Sequence, residues 1–336
     1  MSPPSRPPFS DLPLDKNGPP GNAWGLYGKD DELGALNLIT PATVKAAAQE
    51  IQTGERVSLD WNLNLPAYPS FGRPSFGWKM ENRTQPDGTP RTVNDDHLDI
   101  NTQSSSQWDG FRHYGYQKAK RYYGGRTQQD VEGSEVIGID RIAHAGGITA
   151  RGIILDYPRW LEKKGNEKVS ALAANNINAA TLKEMLKDTG VTPREGDLLL
   201  LRTGFTRDYE ALGEDEKKAL ANKPPTFLGV ESTKDVVQLI WESGFVAVGE
   251  YSCVVFPNLL APFHTHFLSV SLTSPSSLRR TLLRNVAPRR PPQQSRRHLE
   301  RRKLGGRDAR RWSSAPVATR RLGRYDWRDV GFRTAL

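Results

Sequence analysis

The sequence has almost no cysteine, no long apolar run and no secretory leader. Its single cysteine, Cys253, excludes an internal disulfide bond and fits a reducing compartment. No apolar run approaches the ~18–20 residues that a membrane-spanning helix needs. The first residues, MSPPSRPPFSDL, are rich in proline and contain no apolar core of a signal peptide. We therefore expect a soluble, cytoplasmic protein that does not contact a membrane.

The charge is distributed very unevenly along the chain. Residues 271–336 hold 17 arginines and one lysine against four acids, a net charge of +14. Because the whole chain carries +9, the other 270 residues carry −5. Binding to nucleic acid would therefore depend on the basic tail alone, and we expect none unless that tail is genuine.

The body of the chain predicts a mixed α/β domain over residues 23–270, preceded by a proline-rich arm, residues 1–22, that is flexible or draped. Residues 56–66 alternate as a strand does, and residues 66–95 are rich in turn-forming residues and predict a long loop. Further strands and capped helices are expected downstream. The strands are 149–157, 196–205 and 245–252; the helices are 40–54, 178–190 and 232–244.

One stretch, QSSSQWDGFRH, combines residue types that reactions use. Asp109 can supply an anionic oxygen to a divalent cation, and His113 can transfer a proton near neutral pH or bind a metal. Gln103 and Gln107 offer only neutral amide oxygens, which are weak ligands for zinc. The preceding run, DHLDINTQ, has one polar face, which is typical either of a solvated edge strand or of a strand that lines a pocket.

The spacing of this stretch resembles the signature H-x-G-T-H-x-D-x-P-x-H of the cyclase family of metal-dependent hydrolases, which includes bacterial kynurenine formamidase and isatin hydrolase. The spacing of the signature is kept throughout, and the corresponding residues here are Gln103-x-Ser105-Ser106-Gln107-x-Asp109-x-Phe111-x-His113. The segments AWGLYGKDDELGALNLITP, RYYGG, GITARGIILDY, GDLLLLRTGF and FLGVEST resemble a branch of the same family with the pattern T-Q-x-S-T-Q-W-D-G-x-x-H. The likeness covers about residues 9–270.

The resemblance implies a fold, a cofactor and roles for individual residues. The fold would be the family's swivelling β/β/α domain, with a mixed sheet or barrel-like core. A divalent metal, zinc or manganese, would be held by Asp109 with Gln103, Gln107 and the late His264. Asp109 and His113 would be the catalytic pair, with His113 as acid and base. Both glutamines stand where the family has histidines, which places the metal in question.

The family's late glutamate also has no counterpart here, since the corresponding segment SLTSPSSL contains no acid. Family likeness stops where the arginine-rich composition starts. We therefore expect residues 271–336 to be the product of a frameshifted or mis-spliced gene model. The alternative is a real, disordered basic tail that contacts RNA, DNA or an acidic membrane.

The function implied by the resemblance is hydrolysis of a non-peptide C–N bond in a small aromatic amide or lactam, in the manner of an arylformamidase acting on N-formylkynurenine. Three residues are candidates for substrate contact: Trp108, Tyr114 and Arg202. The alternatives are a cyclase, dehydratase or lactonase acting on a secondary metabolite, or a catalytically degenerate binding protein. Family members are commonly dimers, so a homodimer is expected.

Overall fold

A mixed five-stranded sheet organises the part of the chain that the structure describes. This structure is a computed structural model, and it describes residues 3–224 and 227–250, together with the backbone of 268–271. All described residues belong to one compact unit. The predicted His264, Cys253 and the tail beyond Ser271 lie outside them.

The strands and helices alternate along most of this region. The strands are β1 Gly77–Thr84, β2 Pro90–Asp99, β3 Gln107–Asp109, β4 Gly152–Asp156, β5 Asn176–Ile177, β6 Leu198–Arg202, β7 Gly229–Val230, β8 Ala247–Glu250 and β9 Leu268–Ser271. The helices are α1 Pro41–Ala48, α2 Gln128–Glu132, α3 Asp140–His144, α4 Tyr157–Lys163, α5 Ala179–Thr189, α6 Phe205–Glu210, α7 Glu214–Ala221 and α8 Lys234–Glu242. Short 3-10 helices cover Phe9–Asp11, Gly34–Leu38 and Tyr123–Gly125.

The central sheet has the order β3-β9-β8-β6-β4. Strands β4, β6, β8 and β9 run parallel to one another, and β3 is antiparallel to β9 at one edge. Two small sheets, β1-β2 and β5-β7, stand apart from it. The prediction of a mixed α/β domain is confirmed. The prediction of a barrel-like core is not confirmed, because the sheet does not close among the described residues. The swivelling topology stays a prediction.

The core lies where apolar strands meet the apolar faces of two helices. Ile153, Leu199 and Val248 of the central sheet pack in one cluster with residues of α5 and α8, and all are nearly inaccessible to solvent. Fully burying a side chain of this size contributes roughly 1.5–3 kcal/mol relative to exposure. The strands are apolar on both faces because helices cover parallel sheets on both sides. No helix among the described residues is long and apolar enough to cross a membrane.

Helix α5 shows why the ends of some helices could be predicted from capping residues in the sequence. Asn178 caps its first turn by accepting a hydrogen bond from the backbone N–H of Thr181 at 2.9 Å. Gly190 ends it in the left-handed conformation, with φ of 69°, which glycine adopts without a Cβ clash. The predicted helix 178–190 and the predicted strands around it, 149–157 and 196–205, therefore agree with α5, β4 and β6.

Three predictions near the N-terminal third were wrong. Residues 56–66 form no strand, because Asp60 donates its N–H locally to Ser58 Oγ (3.3 Å) and Trp61 donates to Ser106 Oγ (2.7 Å) rather than to a neighbouring strand. Residues 66–95 are not one long loop, because only 66–76 are irregular and the rest forms β1, a tight turn and the first part of β2. Helix α1 has the expected Thr40 cap but ends at Ala48, before the predicted glycine stop.

The arm that precedes the domain makes specific contacts in its described part, residues 3–22. Phe9 is buried in the main core cluster. The guanidinium of Arg6 donates to the backbone oxygens of Trp241 (3.0 Å) and Phe245 (2.6 Å), and Trp241 Nε1 donates to Pro7 O (2.9 Å). Burial lowers the pKa of Arg6. These bonds attach the arm to the end of α8.

Candidate active site

Strand β3 carries the centre of the signature at the edge of the main sheet. It pairs with β9, with Gln107 opposite Ser271 and Asp109 opposite Ser269. Side chains alternate between the two faces of a strand, so Gln107 and Asp109 lie on one face and Trp108 on the other. The strand register therefore brings an amide and a carboxylate together.

Gln103 completes a cluster with these two residues, which we call the Gln–Asp cluster: Gln103, Gln107 and Asp109. Gln103 Nε2 donates to Asp109 Oδ1 at 2.7 Å, and Gln107 Nε2 donates to the same oxygen at 3.0 Å. Gln107 Nε2 also lies 2.5 Å from Gln103 Oε1. All three side chains are only partly accessible to solvent. One carboxylate oxygen is thus held by two amide groups, which fixes the orientation of Asp109.

The serines between the two glutamines hold the turn in place. Ser105 has a φ of 62°, a conformation that is uncommon for residues other than glycine. Its hydroxyl donates to the backbone oxygens of Trp61 (3.2 Å) and Asn62 (3.0 Å). Trp61 is itself buried and donates through Nε1 to Glu210 at 2.9 Å. The turn is therefore anchored to a second core cluster, not left as a mobile loop.

The backbone of Gln103 has two more anchors. Its N–H donates to Asn101 Oδ1 at 2.9 Å, and its oxygen accepts from Arg73 Nη1 at 3.3 Å. Both contacts come from segments next to the β1-β2 hairpin. The position of the first glutamine of the cluster therefore depends on how that hairpin is held.

His113 follows the cluster on an exposed turn. Its backbone N–H donates to Gly110 O at 3.1 Å, and its ring lies 6.4 Å from that of Tyr114. His113 is exposed, so its ring is accessible to a substrate. Within the described part of the chain the ring makes no side-chain hydrogen bond. Between Asp109 and His113, Phe111 stacks on Tyr123 at 4.3 Å, which fixes the chain on the inner side of this turn.

The three predicted substrate contacts are placed differently from one another. Trp108 and Tyr114 are each 40% exposed and flank the signature. Trp108 stands on the face of β3 opposite the Gln–Asp cluster. Arg202, at the end of β6, is paired with Asp156 at the end of β4, with Nη1 and Oδ1 2.8 Å apart. The structure thus brings Gln103, Gln107 and Asp109 together, whereas Arg202 is engaged with another acid.

Sequence reasoning missed one acidic residue near this site. Glu250 ends strand β8 and is fully buried. It is in register with Ser271 of β9, and Ser271 is in register with Gln107. Two strand spacings separate Glu250 from Gln107, about 10 Å. The signal was present in the sequence, since a charged residue closes the otherwise apolar strand FVAVGE at an end where α/β folds place their sites.

The donor set of the described residues does not fit zinc or manganese. Asp109 Oδ1 faces two N–H donors, and one amide oxygen of the cluster, Gln103 Oε1, lies against Gln107 Nε2. Zinc sites use thiolate, imidazole and carboxylate ligands, and carboxylate and amide oxygens suit a harder ion such as manganese better, but here the amides direct N–H groups rather than oxygens at Asp109. In the described ranges no three His, Cys, Asp or Glu side chains group as a metal site would require. We therefore derive no chemical step through a metal.

Comparison with protein families gives one match, which spans the candidate site. The family model Cyclase, described as "Putative cyclase", matches residues 43–250, which is more than half of the chain. The chain belongs to the cyclase family. The match includes the whole Gln–Asp cluster and ends at Glu250. Membership places the chain among cyclase-like enzymes, and a search of curated proteins finds no match.

One solved cyclase structure gives the same fold assignment, and two isatin hydrolases are more distantly similar. A crystal structure of a novel cyclase is 26% identical, with a TM-score of 0.62, covering 75% of this chain and 86% of that one. An isatin hydrolase bound to the product analogue thioisatinate is 14% identical, with a TM-score of 0.45, covering 69% and 86%. Isatin hydrolase A from Ralstonia solanacearum is 15% identical, with a TM-score of 0.45, covering 70% and 86%.

Proposed function

We propose that this cyclase-family chain hydrolyses a non-peptide C–N bond in a small aromatic amide or lactam. The proposal depends on the hydrogen bonds to Asp109. Two side-chain amides donate to its oxygen Oδ1, inside the segment that matches the family. Two such bonds orient the carboxylate so that its other oxygen, Oδ2, is left to hold a water molecule. A positioned carboxylate of this kind acts as a general base.

The proposed reaction uses only residues of the described chain. Oδ2 of Asp109 accepts a proton from water as the water oxygen attacks the carbonyl carbon. The tetrahedral carbon then releases the nitrogen as the C–N bond breaks, and protonated His113 donates a proton to that nitrogen. The products are a carboxylic acid and an amine, and the proton passes from Asp109 back to His113 through solvent. The exposed ring of His113 supports this role.

The aromatic residues beside the signature support a preference for a flat, aromatic substrate. Trp108 and Tyr114 present partly exposed rings on either side of the Asp109–His113 turn. Aromatic rings contribute about 0.5–1.5 kcal/mol to a ring contact beyond the area that they bury. Trp108 lies on the face of β3 opposite the Gln–Asp cluster, and Arg202 would reach a substrate only by releasing Asp156, so we assign substrate contact first to Tyr114.

A second candidate is a cyclase, dehydratase or lactonase acting at the same cluster. The observation that favours it is the donor set, which lacks the imidazole ligands of the family's metal hydrolases. A third candidate function is that of a non-catalytic binding protein, which the same lack of imidazole ligands favours. Localisation in the cytoplasm and the absence of nucleic-acid binding remain proposals that rest on the composition of the body of the chain.

The test is a substrate screen on the purified full-length chain. N-formylkynurenine, isatin and a set of aromatic lactones are incubated with the protein, and products are identified by mass spectrometry. Hydrolysis of a lactam gives one product heavier by one water, whereas N-formylkynurenine and one water give formate and a free amine, and we expect turnover of at least one C–N substrate. Turnover of lactones alone would favour the second candidate. Tight binding without turnover of any probe would contradict the enzymatic proposal.

A further inference from the structure

A short hairpin loop, which we call the basic loop (residues 116–121), follows His113 and Tyr114 along the chain. The sequence from 110 to 129 contains five lysines and arginines and no aspartate or glutamate. Residues 1–270 as a whole are net acidic, so this positive segment is a local feature. Three of the five cations belong to the basic loop and are exposed: Lys118, Lys120 and Arg121.

The base of the basic loop is held in a defined position. Tyr116 and Arg121 form an antiparallel bridge, in which the N–H of Tyr116 donates to Arg121 O at 2.7 Å and the N–H of Arg121 donates to Tyr116 O at 3.4 Å. The ring of Tyr116 is buried and packs edge-on against Trp24, with ring centroids 5.7 Å apart. The four residues beyond the bridge, 117–120, therefore start from a fixed point.

The tip of the basic loop holds a lysine in an unfavourable backbone conformation. Lys120 has a φ of 51°, in the left-handed region that residues with a Cβ rarely adopt. Glycine would adopt this conformation without strain, so the turn alone does not explain a lysine at this position. Strained residues of this kind are concentrated at sites that hold ligands.

The charges of the basic loop are not neutralised within the described part of the chain. No carboxylate there lies within ion-pair distance of its three cations, and the guanidinium of Arg121 donates to the backbone oxygen of Lys120 at 3.0 Å. The next acid along the chain, Asp130, accepts from the N–H and the hydroxyl of Thr127, each at 2.8 Å, in the cap of α2. A group of cations without counter-charges attracts an anionic ligand.

The basic loop starts beside the proposed acid, His113. Gly115 lies so close to the returning segment of the loop that a Cβ on it would be 2.7 Å from Arg121 O. His113 is two residues from Gly115, so their Cα atoms are at most about 7 Å apart. Lysine and arginine carry their charges on long, flexible stems. A ligand whose carbonyl lies at His113 can therefore reach these charges with the far side of one aromatic ring.

We propose that the basic loop selects substrates that carry a carboxylate on the aromatic ring, which its cations hold while the amide lies at Asp109 and His113. The reaction itself rests on the proposed function. Three cations suit a single carboxylate, whereas a nucleic-acid-binding protein typically contacts about 6–10 phosphates. The guanidinium of Arg121 matches a carboxylate through two parallel hydrogen bonds, and the two lysines add positive charge.

The first test compares a charged and a neutral probe by isothermal titration calorimetry on the full-length chain. The probes are para-acetylbenzoate and para-nitroacetophenone, flat aromatic ketones of similar shape that have no amide bond to hydrolyse. We expect the carboxylate to bind about tenfold more tightly in about 0.01 M salt, since it gains several exposed ion pairs. The difference should shrink at about 0.1 M, where the Debye length falls from about 30 Å to about 10 Å. Equal affinity for the two probes, or no detectable binding of either, would overturn the proposal.

Charge removal assigns the effect to the basic loop. The triple variant Lys118→Gln/Lys120→Gln/Arg121→Gln keeps polar side chains and should bring the affinity for para-acetylbenzoate close to that for para-nitroacetophenone. The matched control changes the net charge equally, in α4, which follows β4 directly, and in α5, which packs on β4 at the sheet edge opposite β3. Its substitutions are at exposed lysines: Lys163→Gln, Lys183→Gln and Lys187→Gln. An equal loss of affinity in both triple variants would show that the basic loop is not the binding site.

The second test measures hydrolysis and separates this proposal from the proposed function. The substrates para-formamidobenzoate and para-nitroformanilide share one formamide, and only the first is charged. Removing the charges of the basic loop should lower kcat/KM about tenfold for the first and leave the second unchanged. If neither is hydrolysed but the binding difference persists, the proposed function fails and the carboxylate site stands. If both are hydrolysed and respond identically to the triple variant, the proposed function stands and the carboxylate site fails.

Discussion

The side-chain amide of Gln103 donates to Oδ1 of Asp109 at 2.7 Å and so joins a serine-rich turn to the edge strand of the central sheet. Gln107 donates to the same oxygen from within the strand. Where the family signature has two histidines that bind a metal, this chain has two N–H donors directed at a carboxylate. In the proposed site the same spacing serves to hold the acid itself.

Replacing either glutamine should impair catalysis without unfolding the chain. Leucine is close to glutamine in size but cannot donate, so Gln103→Leu and Gln107→Leu each remove one charge-assisted hydrogen bond to Asp109. Such bonds contribute about 1.5–3 kcal/mol, which predicts a loss of roughly tenfold or more in kcat/KM. Steady-state kinetics on the substrate found in the screen measures the loss, and urea unfolding measures stability.

The double variant Gln103→Leu/Gln107→Leu tests whether the two glutamines act on Asp109 jointly or independently. Because Gln107 also contacts Gln103, the two effects should not add, and a coupling energy of about 0.5–3 kcal/mol is expected from the cycle. Gln129→Leu, in helix α2 away from the cluster, is the matched control and should be neutral. Full activity in both single variants would show that Asp109 needs no amide partner.

The purified chain should carry much less than one zinc or manganese ion per molecule. The two amides face Asp109 with their N–H groups, and amide oxygens are poor zinc ligands. The double variant Gln103→His/Gln107→His adds two imidazoles beside a carboxylate and should retain more zinc. Elemental analysis by mass spectrometry after dialysis compares the two proteins, with Gln129→His as a surface control.

Stoichiometric zinc in the wild-type chain would contradict this reading of the cluster. It would mean that the amides turn their oxygens toward an ion, or that ligands outside the described residues supply the site. An unchanged zinc content in the double-histidine variant would show that position 103 or 107 does not face a site able to hold metal.

The helices and strands of the core could be predicted because their signals are local. Asn178 and Gly190 mark the ends of α5, and the apolar side chains of β4, β6 and β8 are buried or half-buried. The hairpin could not be predicted from the density of turn-forming residues, because that density does not distinguish the irregular segment 66–76 from the tight turn at Asp87 and Gly88, and it says nothing of the strands on either side of the turn. Pairing partners are set by tertiary contacts rather than by composition.

The candidate site was predictable in its spacing but not in its hydrogen bonding. The sequence gives the residue types at 103, 107 and 109, whereas the direction of each amide depends on the turn at Ser105 and on its contacts with Trp61 and Asn62. Glu250 was missed because its register with Gln107 passes through β9, a strand more than 150 positions from Gln107 in the sequence.

The free energy of unfolding should decline above about pH 10 because of buried tyrosines. Burial, and then the nearby carboxylate of Asp31, raise the pKa of Tyr123 above its ordinary value of about 10. The unfolded chain releases this proton first, so the contribution is complete below about pH 10 and falls as the pH rises, by up to about 1.4 kcal/mol per pH unit. Urea unfolding between pH 8 and about pH 11 measures the slope.

Tyr123→Phe should flatten that slope, although it also removes the 2.6 Å hydrogen bond to Asp31 and so lowers stability at neutral pH. Tyr68→Phe is the matched control, since Tyr68 is more exposed and its hydroxyl bonds to a surface glutamate, Glu214. An identical slope in the wild type and in Tyr123→Phe would show that the hydroxyl of Tyr123 ionises equally in the folded and unfolded chains.

The most direct measurement of the central claim is the activity of Asp109→Asn beside that of the wild type. Asparagine keeps the size of the side chain but cannot accept a proton, so kcat should fall by about 10²–10⁴-fold. Stability should change little in comparison, and Asp87→Asn at the exposed hairpin turn should leave kcat unaltered. A variant Asp109→Asn that retains wild-type kcat on a substrate from the screen would show that the Gln–Asp cluster is not where the reaction takes place.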